Sequence, residues 1–101
     1  MESVRTIMFK LNVQEETYEE LDVNEDISIK DVFKSNEIIF IVDPGNSRVW
    51  VWEGSSVNIK MKFLSTQIAS KIRDRHGITY TITSVDEGSE PEDLKELLGL
   101  N

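Results

Sequence analysis

One histidine, three oxygen-bearing residues at alternate positions and a scatter of serines are the side chains of this sequence whose types and spacing could do chemistry. His76 could act as a base or a pH switch, because imidazole titrates near neutrality. It stands between Arg75 and Gly77, with Lys71 and Arg73 just before it, and cations gather in this way where a helix ends. His76 is therefore read as a solvated helix terminus. Asp22, Asn24 and Asp26 have the spacing that opens a calcium loop. Such a loop needs a Gly at its sixth position and a Glu at its twelfth, and those places hold Ile27 and Phe33. Gly45 is alone in its turn, so no glycine-rich phosphate loop is present. With no cysteine, the sequence has no thiolate zinc site, disulfide or cysteine nucleophile. A single histidine excludes a multi-histidine metal centre, and nothing surrounds the serines that would activate one. The chain is read as a non-enzyme without cofactor or metal.

Charge narrows the partners. The formal net charge is −8, a field that repels the phosphates of nucleic acid and the headgroups of anionic membranes. Neither is expected as a partner. Hydrophobic residues make up 39% and charged residues 30%, the balance of an ordinary globular protein. The 101 residues contain no linker-like tract and no repeat, so residues 1–101 are expected to form one domain. The longest apolar run, Ile38 to Val42, is far short of the ~20 residues that span a bilayer. The N-terminus lacks a secretory apolar segment. A cytoplasmic location is the expectation.

The elements that would position any functional side chain follow from periodicity. From Arg5 to Val13, Ile7, Phe9, Leu11 and Val13 alternate with Thr6, Met8, Lys10 and Asn12, which predicts a strand with one buried and one wet face. Glu15 and Glu16 mark a turn into a second strand, Thr17 to Leu21, making a hairpin at an acidic sheet edge. Asp22 to Lys34 is charged and irregular. Ile27, Ile29, Val32 and Phe33 would pin it to the body, the last three at the spacing of a helical turn. Ile38 to Val42 is continuously apolar, the pattern of a central strand covered on both faces. Asp43-Pro44-Gly45-Asn46 is a turn, and Arg48 to Trp52 returns as the next strand. Gly54-Ser55-Ser56 offers a helix cap. Val57, Met61, Leu64, Ile68 and Ile72 then form one stripe of a long helix over Val57 to Arg75, closed by Gly77. Ile78 to Val85, with Ile78, Tyr80 and Ile82 alternating, predicts a last strand; Pro91 opens a short helix, Glu92 to Leu98, that Gly99 closes. Phe40, Val42, Val51, Trp52, Leu64, Ile68, Ile72 and Leu97 are the expected core. Trp52 is read as covered by a helix, while Trp50, on the same strand face, is open between core and an exposed contact.

The long helix also has a second face. At 100° per residue, Ile59, Phe63, Thr66, Ser70 and Arg73 lie opposite the core stripe. An Ile and a Phe four residues apart, flanked by small polar residues, are what a helix shows when it enters another protein's groove. The segment Val57–Arg75 carries Lys60, Lys62, Lys71, Arg73 and Arg75 against Asp74, a net +4 that leaves −12 on the rest of the chain. A basic helix on an acidic body suits an acidic partner; a solvated face tuned to its dipole has the same composition.

Three motifs in order carry a resemblance. Phe40-Ile41-Val42-Asp43, then Val49-Trp50-Val51-Trp52-Glu53-Gly54, then Glu87-Gly88-Ser89-Glu90-Pro91 running on to Leu97-Leu98-Gly99, resemble a single repeat of the gelsolin/villin family over about residues 36 to 99. The resemblance implies an α+β fold: a central mixed five-stranded β-sheet between one long helix and one short helix. It implies that the long helix binds actin, or an actin-like protein, by inserting into a cleft, with contacts falling on Ile59, Phe63, Thr66, Gln67, Ser70 and Asp74. It also implies a calcium site pairing a helix Glu with an Asp before the central strand. Those positions hold Met61 and Ile38, or Glu37 with a one-residue shift. A thioether is no ligand for a hard cation, so that site is expected to be missing. The resulting expectation is a module that binds actin monomers or filament ends and modulates assembly; the alternative is the same fold used as a scaffold or GTPase-regulating interaction module.

Overall fold

The computed structural model describes residues 7–21 and 29–99. A strand that is apolar at every position needs cover on both faces, and β3 (Ile38–Asp43) has it: each residue from Ile38 to Val42 is fully buried. β3 pairs antiparallel with β1 (Ile7–Asn12) on one side and β4 (Arg48–Glu53) on the other. β1 turns into β2 (Thr17–Leu21), and β5 (Thr81–Asp86) lies parallel to β4. The strand order is β2-β1-β3-β4-β5. A parallel pair cannot be closed by a tight turn and requires a crossover. The long helix α2 (Ile59–His76) supplies it. One helical turn, α1 (Ile29–Val32), precedes β3, and α3 (Glu92–Leu98) follows β5.

The sheet separates two cores. On one face, Leu64, Ile68, Ala69 and Ile72 of α2 pack on Phe9, Leu11, Phe40, Val42 and Val51. On the other, Leu94 and Leu98 of α3 pack on Met8, Ile39, Ile41, Trp50, Trp52 and Val85. Phe33 closes this second core by stacking on Trp52, ring centroids 5.0 Å apart. Both tryptophans are buried there, which settles Trp50 as core alongside Trp52.

The five-stranded mixed sheet and the helix on each face are as expected. Several local readings are corrected. β1 runs from Ile7 to Asn12 and Val13 belongs to the turn; Arg5 lies outside the described residues. Its second face is wet only in part: Met8 is buried beneath α3 and the segment around Phe33, while Lys10 and Asn12 stay half-exposed. Ile78 does not join β5. It is 80% exposed in a turn closed by the Tyr80 N–H donating to the Gly77 carbonyl at 3.0 Å, and the strand begins at Thr81. In α3, Leu94 and Leu98 are buried and Leu97 only partly so. Ile27 and the Asp22, Asn24, Asp26 triplet lie outside the described residues.

α2 is capped by Asn58, not by the serines before it. The Asn58 side-chain oxygen accepts the Met61 N–H at 2.9 Å, so Val57 precedes the helix. Residues 54–56 are committed elsewhere: the Gly54 N–H donates to the Glu37 carbonyl at 3.0 Å and the Ser56 N–H to the Ser35 carbonyl at 2.8 Å. Here the chain passes so close that a Cβ on Gly54 would overlap the Ser35 carbonyl oxygen. This explains the glycine after the second tryptophan: only a residue without a side chain lets the end of β4 lie against the entry to β3.

Candidate partner-binding face

α2 is held as a helix from both ends and from one side. Asn58 caps its start; Arg73, Arg75 and His76 occupy its last turn, and the Gly77 N–H donates to the Arg73 carbonyl at 2.7 Å. Cations there complement the helix dipole. His76 is half-buried with its ring tilted against Tyr80, the setting of a terminal residue that also packs. The core stripe fixes the helix rotation, and this decides what the opposite face presents.

That face carries Ile59 at 85% exposure and Phe63 at 66%. The helix thus has the phase that the spacing of its core stripe predicts. Thr66, Gln67 and Asp74 are also exposed, while Ser70 and Arg73 are half-buried. From Ile59 to Asp74 the row covers about 22 Å of helix. Its hydroxyls are turned inward: Thr66 Oγ1 donates to the Lys62 carbonyl at 3.2 Å and Ser70 Oγ to the Thr66 carbonyl at 3.3 Å. Arg73 and Asp74 pair with each other at 3.2 Å, and Lys62 pairs with Glu53 at 3.8 Å. Lys60, Lys71 and Arg75 are exposed and carry the remaining positive charge of the helix.

Two of these residues also belong to something the sequence did not reveal. Thr66 and Ser70, with Ser65, Ala69, Val51, Ile82 and Ser84, line a groove of about 210 Å³ between α2 and β5. The signal was present as paired small residues four apart, Ser65-Thr66 and Ala69-Ser70. Its meaning depends on β5 arriving opposite them through the crossover.

The positions implied for calcium do come together. Met61 and Glu37 line one cleft with Asn12, Glu19 and Asn36, but Glu37 faces Lys10, whose Nζ lies 3.5 Å from its carboxylate. Met61 contributes sulfur and the cleft already contains an ammonium, so these residues do not fit a hard dication. Among the described residues no group of three or more His, Asp or Glu side chains could hold a metal.

The acids of the 87–90 segment are structural. Glu87 accepts the Ser55 N–H at 2.8 Å and the Ser35 hydroxyl at 3.0 Å. Those bonds, the Ser55 backbone first, hold its carboxyl below the usual range. Glu90 accepts the Trp52 indole N–H at 2.7 Å and the Gly88 N–H at 3.2 Å. Partial burial pushes its carboxyl up, and the combined hydrogen bonds and the charge of Lys95 outweigh that and leave it lowered. The two glutamates thus tie the end of β5 to the entries of β3 and α2 and to the core tryptophan.

No protein-family model matches the sequence. Solved structures do match the fold. The Thorarchaeota ProGel protein, crystallised in complex with rabbit actin, aligns at a TM-score of 0.80 and 21% identity over 94% of this chain and 100% of its own. The Thorarchaeota 2DGel3 protein, also in complex with rabbit actin, aligns at 0.65 and 20% identity over 95% of this chain, which spans 49% of it. The strand order, the long helix on one face and the short helix on the other, together with these neighbours, identify the chain as carrying a gelsolin-like fold.

Proposed function

We propose that this chain is an actin-binding module whose long helix enters a cleft on actin, or on an actin-like protein, and so modulates filament assembly. The observation that carries this reading is the exposure of Ile59 and Phe63, one turn apart on the face of α2 turned away from the core. Leaving two large apolar side chains in water forfeits their burial, about 1.5–3 kcal/mol each, and a partner groove recovers it. Thr66, Gln67, Ser70, Arg73 and Asp74 complete the contact, with the small Thr66 and Ser70 allowing close approach. The gelsolin-like neighbours crystallised with rabbit actin support the choice of partner. The module binds monomers or filament ends without catalysis and without calcium of its own, in the cytoplasm where actin assembles.

The test is polymerisation of pyrene-labelled actin with increasing amounts of the protein, beside co-sedimentation, each with and without calcium. Dose-dependent change in assembly and direct association are expected in both conditions. Absence of any association with actin would leave the fold in use as an interaction scaffold for another partner.

A further inference from the structure

Among the described residues, no strand pairs with the outer edge of β5, and that edge lacks the charges that the opposite edge carries. β2 is terminal too, but it carries Glu19 and Glu20, both exposed, and charged residues are a common guard against unwanted strand pairing. β5 reads Thr-Ile-Thr-Ser-Val-Asp, with its only charge at the last position. Its pairing with β4 uses alternate amides: the Thr81 N–H donates to the Ser47 carbonyl at 3.0 Å, and the Glu87 N–H just beyond the strand to the Glu53 carbonyl at 2.9 Å. In a parallel ladder the intervening amides point the other way. The N–H groups of Ile82 and Ser84 therefore face off the free edge.

The side chains of the same two residues form one wall of the groove beside α2. Every residue lining that groove is uncharged. Its hydroxyl residues on α2 are satisfied by the helix itself, with Ser65 Oγ donating to the Lys62 carbonyl at 2.7 Å and Thr66 and Ser70 bonded as described. The rest of the lining is the apolar Val51, Ala69 and Ile82 and the small hydroxyl residue Ser84. The charges of Lys62 and Arg73 are already matched by Glu53 and Asp74. Thr66 and Ser70 belong both to the outward row of α2 and to the groove, so the two surfaces are continuous.

We propose that the partner's contact does not stop at the helix: an extended, uncharged segment of the same partner lies in the α2–β5 groove and pairs with the free edge of β5. This rests on the proposed partner reading and adds Ile82 and Ser84 to its contact surface. An uncharged strand fits because a charged side chain would be desolvated there with no counter-ion. Main-chain hydrogen bonds to the Ile82 and Ser84 amides would provide affinity, and an aliphatic side chain in the groove would provide selectivity.

The experiment is residue-resolved amide hydrogen exchange on the full chain, alone and saturated with purified monomeric rabbit actin, together with the affinities of Ser84→Lys and Phe63→Ala. Exchange at Ile82 and Ser84 is expected to slow by about tenfold or more on binding, and Ser84→Lys to weaken binding about tenfold. The wild-type exchange measurement stands even if that variant folds poorly. If actin binds, Phe63→Ala removes the binding, and the β5 amides exchange as before, the strand-pairing inference is wrong and the actin reading survives. If the wild-type chain does not bind actin, both are wrong. Slowing that depends on the concentration of the chain alone, without actin, would assign the edge to a second copy and overturn the proposal.

Discussion

The indole N–H of Trp52 donates to Glu90 Oε2 at 2.7 Å, joining residues 38 positions apart. It gives the Glu-Gly-Ser-Glu segment a physical meaning: with Glu87 bonded to Ser35 and Ser55, these carboxylates hold the loop after β5 to the entry of β3 and the end of β4, at the same end of the sheet.

This arrangement predicts a particular acid sensitivity. Glu87 and Glu90 both have folded-state pKa values below the reference value of 4.5. A depressed carboxyl contributes stability that is fully present above the unfolded value and is lost as pH falls through the folded one. The melting temperature should therefore drop as the pH is lowered from 4.5. The double variant Glu87→Gln, Glu90→Gln should start lower at pH 7 and lose less on acidification. Parallel melting curves for the variant and wild type from pH 7 to 3 would dismiss these two groups as the source.

Ile68 is almost fully buried at the centre of the α2 stripe. Ile68→Ala should cost about 2–5 kcal/mol, a large share of the stability of a domain this small. Urea denaturation measures it, and a loss below about 1 kcal/mol would show that the site collapses around the cavity.

Phe63 is the reverse case. Phe63→Ala should leave the melting temperature within a few degrees of wild type, because the ring is mostly in water. It should weaken the proposed binding to actin at least about thirtyfold, the effect of removing ~2 kcal/mol at an interface anchor. Retained affinity in a folded variant would remove Phe63 from the contact.

Lys71→Glu reverses a charge that α2 exposes. Its effect should be milder than that of Phe63→Ala, appear mainly in the association rate, and fade between 20 and 300 mM salt as screening shortens to below about 10 Å. A salt-independent loss would place Lys71 in a desolvated contact.

Calorimetric titration of the chain with calcium should show no tight site at micromolar concentrations, given Met61 and the Lys10–Glu37 pair in the cleft. One stoichiometric high-affinity transition would contradict the reading of that cleft.

Most of the architecture was legible because the central strand and the long helix state their cover in their own patterns. Ile38 to Val42, apolar throughout, had to be central, and the stripe from Leu64 to Ile72 had to face inward, which exposed Ile59 and Phe63 by geometry alone. The misreadings fall where the deciding contact comes from far along the chain. Met8 alternates in phase with the polar Lys10 and Asn12 and is covered by α3, more than eighty residues later. The helix start shifted to Asn58 because the backbone of 54–56 is bonded to residues 35, 37 and 87. Ile78 alternates correctly with Tyr80 and Ile82, but the Gly77–Tyr80 turn removes it from the strand. The α2–β5 groove forms only once β5 stands opposite the small residues of α2, so the helix sequence alone did not show it.

The burial of Trp50 and Trp52 has a practical consequence. Both of the chain's indoles lie beneath α3, on the opposite side of the sheet from the outward face of α2. Their emission will shift when the domain unfolds and stay nearly constant when a ligand settles on the long helix. Intrinsic fluorescence is thus a clean gauge of integrity and a blind one for docking, so a variant that keeps its native spectrum while losing affinity has lost a contact and not its shape.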